Sequence, residues 1–378
     1  MLIVLIGWFG SRATTRFVAS RANGVLSRGP YKASSRAVML HRRLRVVDMH
    51  ADTLLWGRDL LKESKSGHID VPRLLKGNVG VQAFTVVTKV PWGQNINRTS
   101  GNSDAIGVLA AMEHWPPRTW NNLLERALYQ ASELDRAEAR SGGKLVVIHN
   151  RRELDAYLVR WKSDSQVVGG FLGLEGSQAL RGDLGKLDDL YRAGFRMVAP
   201  THFFDTEISG SASGLNKGGL TPLGREWVRQ VEARHMLIDL AHASPQTIDD
   251  VTAIATRPVV ISHTGVKAVC DNNRNLPDKQ LLEVAKTGGV VGIGFWQTAT
   301  CGNDATAIAA TIRYVADKIG VDHVGLGSDF DGAVTTPFDA SGMVLVTEAL
   351  MKQGFSEEDI KKIMGENDLR VLHEVLPE

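Results

Sequence analysis

Five side chains with the chemistry of metal ligands stand at or just past the ends of short apolar runs. His50 and Asp52 close RVVDMHAD, Glu175 closes GGFLGLEG, His242 closes MLIDLAH and His263 closes PVVISH, while a sixth group, Asp329, ends HVGLGSD. Imidazole and carboxylate are donors suited to divalent cations. Residues i and i+2 of a strand project to one side, so His50 and Asp52 can reach one ion together. Glu175 ends a run with no other charge, where a buried carboxylate is costly unless paired, hydrogen-bonded or metal-bound. Its two oxygens can also bridge two cations. His242 and His263 are 21 residues apart, room for one strand–helix unit, which sets both imidazoles on neighbouring strand ends. Singly, each residue has an ordinary alternative: a satisfied histidine, a capping aspartate, an ion pair of Glu175 with Arg181. Together they point to a hydrolase that uses two metal ions.

Three further residues fit around such a centre. Asp329 can take a proton from an activated water and return it to a leaving amine; Asp331, two positions on, competes for that role. His202 ends RMVAPTH and can donate to a developing oxyanion. Arg274, in DNNRNLPD, can clamp a substrate carboxylate with two parallel hydrogen bonds. The remaining histidines, His41, His68, His114, His149, His235, His323 and His373, are assigned structural positions away from the catalytic face. HExxH and GxSxG are absent, and GVVGIGFW lacks the spacing of a dinucleotide site.

Ligands scattered over strand ends need one surface to gather them, and the C-terminal face of a parallel β/α barrel is such a surface. Strands are expected at Val46–His50, Val79–Val87, Leu145–Ile148, Gly170–Glu175, Arg196–Thr201, Met236–Ala241, Pro258–Ser262, Gly289–Phe295 and Val324–Ser328. Most are near-continuous apolar runs, as in a sheet buried on both faces. Amphipathic stretches lie between them, among them Asp183–Ala193, Gly224–Arg234, Ser244–Ala255, Asp278–Thr287 and Thr306–Ile319. Nine candidates exceed the eight of a closed barrel, and the weakest, Leu145–Ile148, is assigned to an edge outside it. The expected fold is therefore α/β, a (β/α)8 TIM-type barrel. An insertion around 89–140 begins as loop, ends as helix and covers one side of the mouth. The glycine-rich stretch Ile208–Leu220 is expected to be a mobile loop beside the site.

The 378 residues, 43% hydrophobic and 23% charged, suit one large globular domain, placed at 45–378. A net charge of +2, from 44 basic and 42 acidic residues, gives no reason to expect a nucleic-acid partner. Cys270 and Cys301 share no short motif and imply no disulfide framework. Residues 1–44 form a separate basic segment. No Asp or Glu occurs in residues 1–47, which carry nine Lys and Arg behind the apolar stretch Leu2–Phe9. That stretch falls far short of the roughly 20 residues of a membrane span. It reads as an anchor remnant, a targeting segment or a basic arm, outside the catalytic fold. Expected localisation is accordingly membrane-associated through the N-terminus, or cytoplasmic.

The segments VVDMHADTLLW, LGLEGSQALRGDLGKLDDLYRAGFRMVAPTHF, GGLTPLGREWVRQ, LIDLAHAS, VVISHTGVKAV, NRNLPD and GSDFDG together resemble the membrane dipeptidase (renal dipeptidase) family of the amidohydrolase superfamily, in its bacterial type. The resemblance runs from about Arg45 to the C-terminus. It implies two Zn2+, with Mn2+ or Co2+ as substitutes: His50 and Asp52 on one ion, His242 and His263 on the other, Glu175 bridging. It also implies that His202 stabilises the tetrahedral intermediate, Arg274 recognises carboxylate and Asp329 handles the proton. The implied reaction is hydrolysis of dipeptides, L-Xaa-D-Xaa included, by a metal-bridging hydroxide. Hydrolysis of an N-acyl amino acid, lactone or phosphoester on the same centre is the alternative, since fold does not fix chemistry. Expected partners are the dipeptide, a weak membrane contact through the N-terminus and a second copy as homodimer. GSQAL and THFFD depart from the animal type, which has a His after the bridging Glu and an Asn after the THN-segment His. Animal-type members also carry structural disulfides and a C-terminal lipid anchor, of which this sequence gives no sign.

Overall fold

The computed structural model describes residues 2–378, with side chains from Arg12 onward. Nine strands alternate with helices: β1 (Val46–Ala51), β2 (Val79–Val87), β3 (Leu145–Val147), β4 (Val168–Glu175), β5 (Phe195–Val198), β6 (Leu237–Ile238), β7 (Val260–Thr264), β8 (Val290–Ile293) and β9 (Val324–Leu326). Every pairing between them is parallel. The order β1-β2-β4-β5-β6 makes one curled section and β7-β8-β9 the other. Parallel bridges from Asp239 to Val260 and from Ala51 to Phe330 join the two sections at both seams, closing a barrel. β3 stands off this path, pairing only with the first half of β4, which is why a ninth run does not enlarge the ring.

Both faces of a parallel strand are covered, so most of its side chains are apolar and the few polar ones are buried with them. All nine residues of β2 and all eight of β4 are buried. The amphipathic stretches appear as Lys186–Arg192, Pro222–Ala233, Pro245–Thr252, Asp278–Lys286 and Ala305–Ile319, within a few residues of expectation. Capping sets several of their starts: the side chains of Thr221, Ser244 and Asp304 each accept a backbone N–H of the first turn. Val47, Val81, Val260 and Val290, from early in their strands, pack with Leu369, Leu372 and Val375 of the C-terminal helix Asn367–Val375. The candidate site residues His50, Glu175 and His263 lie toward the opposite strand ends.

Four features differ from the reading above. The insertion holds an additional helix, Ala105–Met112, before the helix Leu123–Arg140. Buried Arg126 fastens it to the barrel, donating to the Thr88 carbonyl at 2.8 Å, the Thr119 carbonyl at 2.7 Å and Asp104 Oδ2 at 2.7 Å. The glycine-rich loop is pinned: Asp205 accepts from the Ser211 and Asn216 amides, and Asp250 from the Leu220 amide. Cys270 and Cys301, 31 residues apart, form a disulfide. β7 and β8 are neighbours, so the loops that follow them meet, a proximity that spacing in the sequence does not encode.

The N-terminal segment, finally, touches the barrel mouth. It forms the helix Leu2–Ala22, and Ala19 of that helix packs with Leu55, Trp56, Ile106 and Ala110. Val25 then bridges to Thr336 in the loop after β9. The apolar stretch Leu2–Phe9, read above as an anchor remnant, begins this helix, but its side chains fall outside those described. Among the described residues no helix is long and apolar enough to cross a membrane.

Candidate active site

β1 delivers His50 and, one residue past its end, Asp52; Glu175 is the last residue of β4. His263 lies within β7, whereas His242 and Asp329 sit in loops beyond β6 and β9. Both loop residues hold left-handed backbone, φ 63° for His242 and φ 60° for Asp329. That conformation is costly for a residue with a Cβ and persists where the surroundings impose it, commonly at functional sites. The chain just past β9 runs hard against β7: a Cβ on Gly327 would stand 1.8 Å from the Ser262 carbonyl oxygen. Only glycine lets the Asp329 loop come that close.

The side chains converge on Glu175. Its Oε1 lies 2.9 Å from His242 Nε2 and 3.5 Å from both His50 Nε2 and His263 Nε2. Its Oε2 lies 3.3 Å from His202 Nε2. His50 Nε2 is 3.5 Å from Asp52 Oδ1, and His242 and His263 face each other, Nε2 to Nε2, at 3.0 Å. All of these residues are buried. Three overlapping groups have donor atoms within 4.8 Å of one another: His50, Glu175 and His263; Glu175, His202 and His242; His50, Asp52 and Asp329. The geometry thus draws His202 and Asp329 as close as the five residues first named as ligands.

This donor set fits cations. His50 Nε2 is buried at its centre with no hydrogen-bond partner, and the Nε2 atoms of His242 and His263 face each other at 3.0 Å. Burial, with the charge of Asp52 added, pushes the Glu175 carboxyl well above the usual carboxylate range. Burial pushes Asp329 up as well, to about 8, with Asp52 adding to it. Burial lowers His242 and His263 well below 6.5 and His202 to about 3. At His50 burial is overridden by the charges of Glu175 and Asp52, which hold the imidazole at about 10. Buried carboxylates that resist ionisation, beside His202, His242 and His263 that resist protonation, are a set that a bound cation relieves at once.

Residues not singled out from the sequence orient this set. The Ser262 hydroxyl donates to Asp239 Oδ2 at 2.6 Å and lies 3.0 Å from His50 Nδ1 and 2.9 Å from His263 Nδ1. Its hydrogen is spent on the carboxylate, so both imidazoles donate Nδ1–H to its lone pairs and turn Nε2 toward the centre. Asp239, buried within LIDLAH, was the available signal: a charge inside an apolar run three residues before a candidate ligand. Thr85 donates to Asp52 Oδ1 at 2.7 Å. Asp48 accepts from the amide and hydroxyl of Ser328, both at 2.7 Å, just ahead of Asp329.

Asp331, the competitor of Asp329, is fully engaged. Arg58, the Thr53 hydroxyl at 2.9 Å and the His68 amide at 2.8 Å all donate to its carboxylate. Burial would raise it, but the charges of Arg58 and His68 bring it below the ordinary aspartate range. His68 was placed away from the catalytic face; instead its Nδ1 accepts the Asp331 amide at 2.8 Å and its ring stacks on Phe330. It braces the loop that carries Asp329. Arg274 is buried beside the cup, donating to the His263 carbonyl at 2.8 Å, with its guanidinium 5.8 Å from the centre of the Trp296 ring. His41, His149, His323 and His373 sit elsewhere, on Gly77 and Thr347, Glu153, Gly289 and Asp155.

Comparison with known proteins places this geometry in company. The family profile described as membrane dipeptidase (peptidase family M19) matches residues 34–376. Dipeptidase tcpJ of Claviceps purpurea (strain 20.1) is 30% identical over 319 residues, 82% of this chain and 70% of the relative. Dipeptidase verJ of Clonostachys rogersoniana is 35% identical over 215 residues, 55% of each chain. Among solved structures, a metallopeptidase from Rhodobacter sphaeroides, liganded with a phosphinate mimic of the dipeptide L-Ala-D-Ala, aligns with a TM-score of 0.73 at 26% identity. The alignment covers 88% of this chain and 99% of that one. The probable dipeptidase PvdM from Pseudomonas aeruginosa shares the fold with a TM-score of 0.75, at 19% identity over 90% of this chain and 98% of its own.

Proposed function

We propose, from the premise that this chain belongs to the membrane dipeptidase family, peptidase family M19, that it hydrolyses the peptide bond of dipeptides at a two-zinc centre. The observation that carries the reading is the convergence of His50, His202, His242 and His263 on one buried carboxylate, Glu175. His50 and Asp52 would hold one ion, His242 and His263 the other, and Glu175 would span both through its two oxygens. When bound, the ions supply Lewis-acid polarisation of the scissile carbonyl and a water acidic enough to serve as nucleophile near neutral pH.

The chain's own groups do the rest. Arg274 takes the substrate's free carboxylate, its guanidinium held in place by the His263 carbonyl. A neutral lactone would have no use for that group. His202, kept neutral by burial, donates from its ring to the carbonyl oxygen that becomes an oxyanion as its carbon turns tetrahedral. Asp329 takes up the proton lost by the attacking water and hands it to the departing amine, which leaves as a neutral product. The R. sphaeroides neighbour, bound to a mimic of L-Ala-D-Ala, motivates extending the substrate class to a D-residue in second position.

Zinc-reconstituted protein offered L,L- and L,D-dipeptides, a tripeptide, an N-acyl amino acid and a lactone provides the test. Release of amino acids from dipeptides alone, abolished by a chelator, is the expected result. Turnover of only the acyl amino acid or the lactone would overturn it. Glu175→Gln should lose metal and activity together, because an amide offers one oxygen to two cations. Full zinc content in that variant would remove Glu175 from the bridging role.

A further inference from the structure

A cavity of about 320 Å3 opens from the metal-ligand cup on the side of Asp52, His202 and Asp329 and runs outward to the N-terminal helix. Neither Arg274 nor Trp296 lines it. Beyond the acidic floor its walls are Leu55 and Trp56 after β1, Ile106 and Leu109 of the insertion helix, Trp92, and Val18 of the N-terminal helix. No lysine or arginine lines it among the described residues. Val18 and Trp92 stand at the rim 47% and 62% exposed, apolar surface left facing water where a ligand would cover it.

From these walls we infer that the cavity receives the side chain of the dipeptide's N-terminal residue, and that it selects large apolar side chains with the N-terminal helix as one wall. The inference rests on the dipeptidase reading. With the substrate carboxylate on Arg274, the C-terminal residue occupies the His263 side of the cup. The residue across the scissile bond then points the other way, into the apolar space. A charged side chain there would exchange its hydration for hydrocarbon walls, whereas a leucine, phenylalanine or tryptophan would shed water from both surfaces.

The helix is a fixed wall. Thr15 and Ala19 are buried, and Ala19 joins the cluster of Leu55, Trp56 and Ile106. The chain leaving the helix is tied to the loop of Asp329 and Asp331: Asn23 Oδ1 accepts the Ala333 amide at 2.9 Å, and the Gly24 carbonyl lies 2.8 Å from His68 Nε2. The family profile begins at residue 34, so this wall belongs to the present chain and not to the residues matched by the family.

The experiment measures kcat/KM of the zinc-loaded full chain on Xaa-Ala dipeptides, with Xaa as Gly, Ala, Asp, Lys, Leu, Phe or Trp. Leu, Phe and Trp should exceed Gly and Asp by about ten- to a hundredfold, the range a hydrophobic pocket achieves. Val18→Asp should cut the Phe-to-Gly selectivity ratio by roughly tenfold, because desolvating the new carboxylate opposes an apolar side chain. Val18→Trp, which narrows the mouth, should shift preference from Trp toward Ala. Thermal unfolding of both variants identifies any loss of fold at this half-exposed position. Equal kcat/KM for Gly, Asp and Phe would overturn the subsite. Selectivity unchanged in both well-folded variants would remove the helix from it. Failure to hydrolyse any dipeptide would overturn the dipeptidase reading instead.

Discussion

Ser262 has one hydroxyl hydrogen and two lone pairs, and all three are committed: to Asp239, to His50 and to His263. One small side chain thereby aims two of the proposed ligands, each from a different strand. Ser262→Ala leaves both Nδ1–H groups without this acceptor and frees the rings to turn. The loss should weaken zinc binding by about 10- to 100-fold, the usual effect of removing a partner that orients a ligand. Titration against a competing chelator measures it, and an unchanged affinity would assign Ser262 to packing alone. The proposed ligands themselves were readable in the sequence because each is a polar residue stranded at the end of an apolar run. Ser262 was not, because serine beside a strand-end histidine is unremarkable until two strands bring two imidazoles to it. His68 stayed hidden for a related reason: its partner, Asp331, lies 263 positions away.

At the scale of elements, strands and outer helices were legible because burial writes periodicity into them. The insertion helix was not. AIGVLAAM is apolar almost throughout, since one side meets Trp56 and Ala19 and another lines the cavity, so no polar stripe marks it. The disulfide was equally silent. Cys270 lies four residues before Arg274, and Cys301 five residues after Trp296, so the bond ties together the two loops that hold the guanidinium and the ring beside it. Opening this 31-residue connection should cost about 3 to 4 kcal/mol on the chain-entropy account. Denaturant unfolding of a Cys270→Ser, Cys301→Ser double variant tests the figure. Its KM for dipeptides should also rise, because Arg274 loses its restraint while the proposed metal ligands keep theirs. An unshifted unfolding midpoint would show that the loops hold each other without the bond.

For the molecule as a whole, a buried histidine remote from the site contributes to a pH limit. His41 joins the helix Ser35–His41 to the rest of the fold, with Nε2 on the Gly77 carbonyl at 3.0 Å and Nδ1 on the Thr347 hydroxyl at 2.8 Å. Burial lowers its pKa from 6.5 to about 4, against the pull of the Gly77 carbonyl. The unfolded chain therefore takes up a proton first as pH falls. The contribution is complete above pH 6.5 and drains away toward pH 4, by about 3 kcal/mol in all. Unfolding free energies across that window should fall with falling pH, and His41→Gln should lessen the fall by about 3 kcal/mol, leaving the share of the other buried histidines; the same slope in both proteins would remove His41 from it.

The barrel was legible from the spacing of its runs, but the seat of the N-terminal segment was not, because backbone pairing between Val25 and Thr336 leaves no side-chain pattern. That pairing has a consequence in time. Asn23 and the Ala333 amide it accepts are 310 positions apart, so the ribosome makes the strap long before the loop that receives it. At 5 to 20 residues per second, roughly 15 to 60 s separate the two. During that interval residues 23–27 lack the loop that holds them, and only the contacts of Ala19 with Leu55, Trp56, Ile106 and Ala110 can seat the helix. The rim that Asp331, Gly332 and Ala333 give the cavity is thus made after all of its other walls.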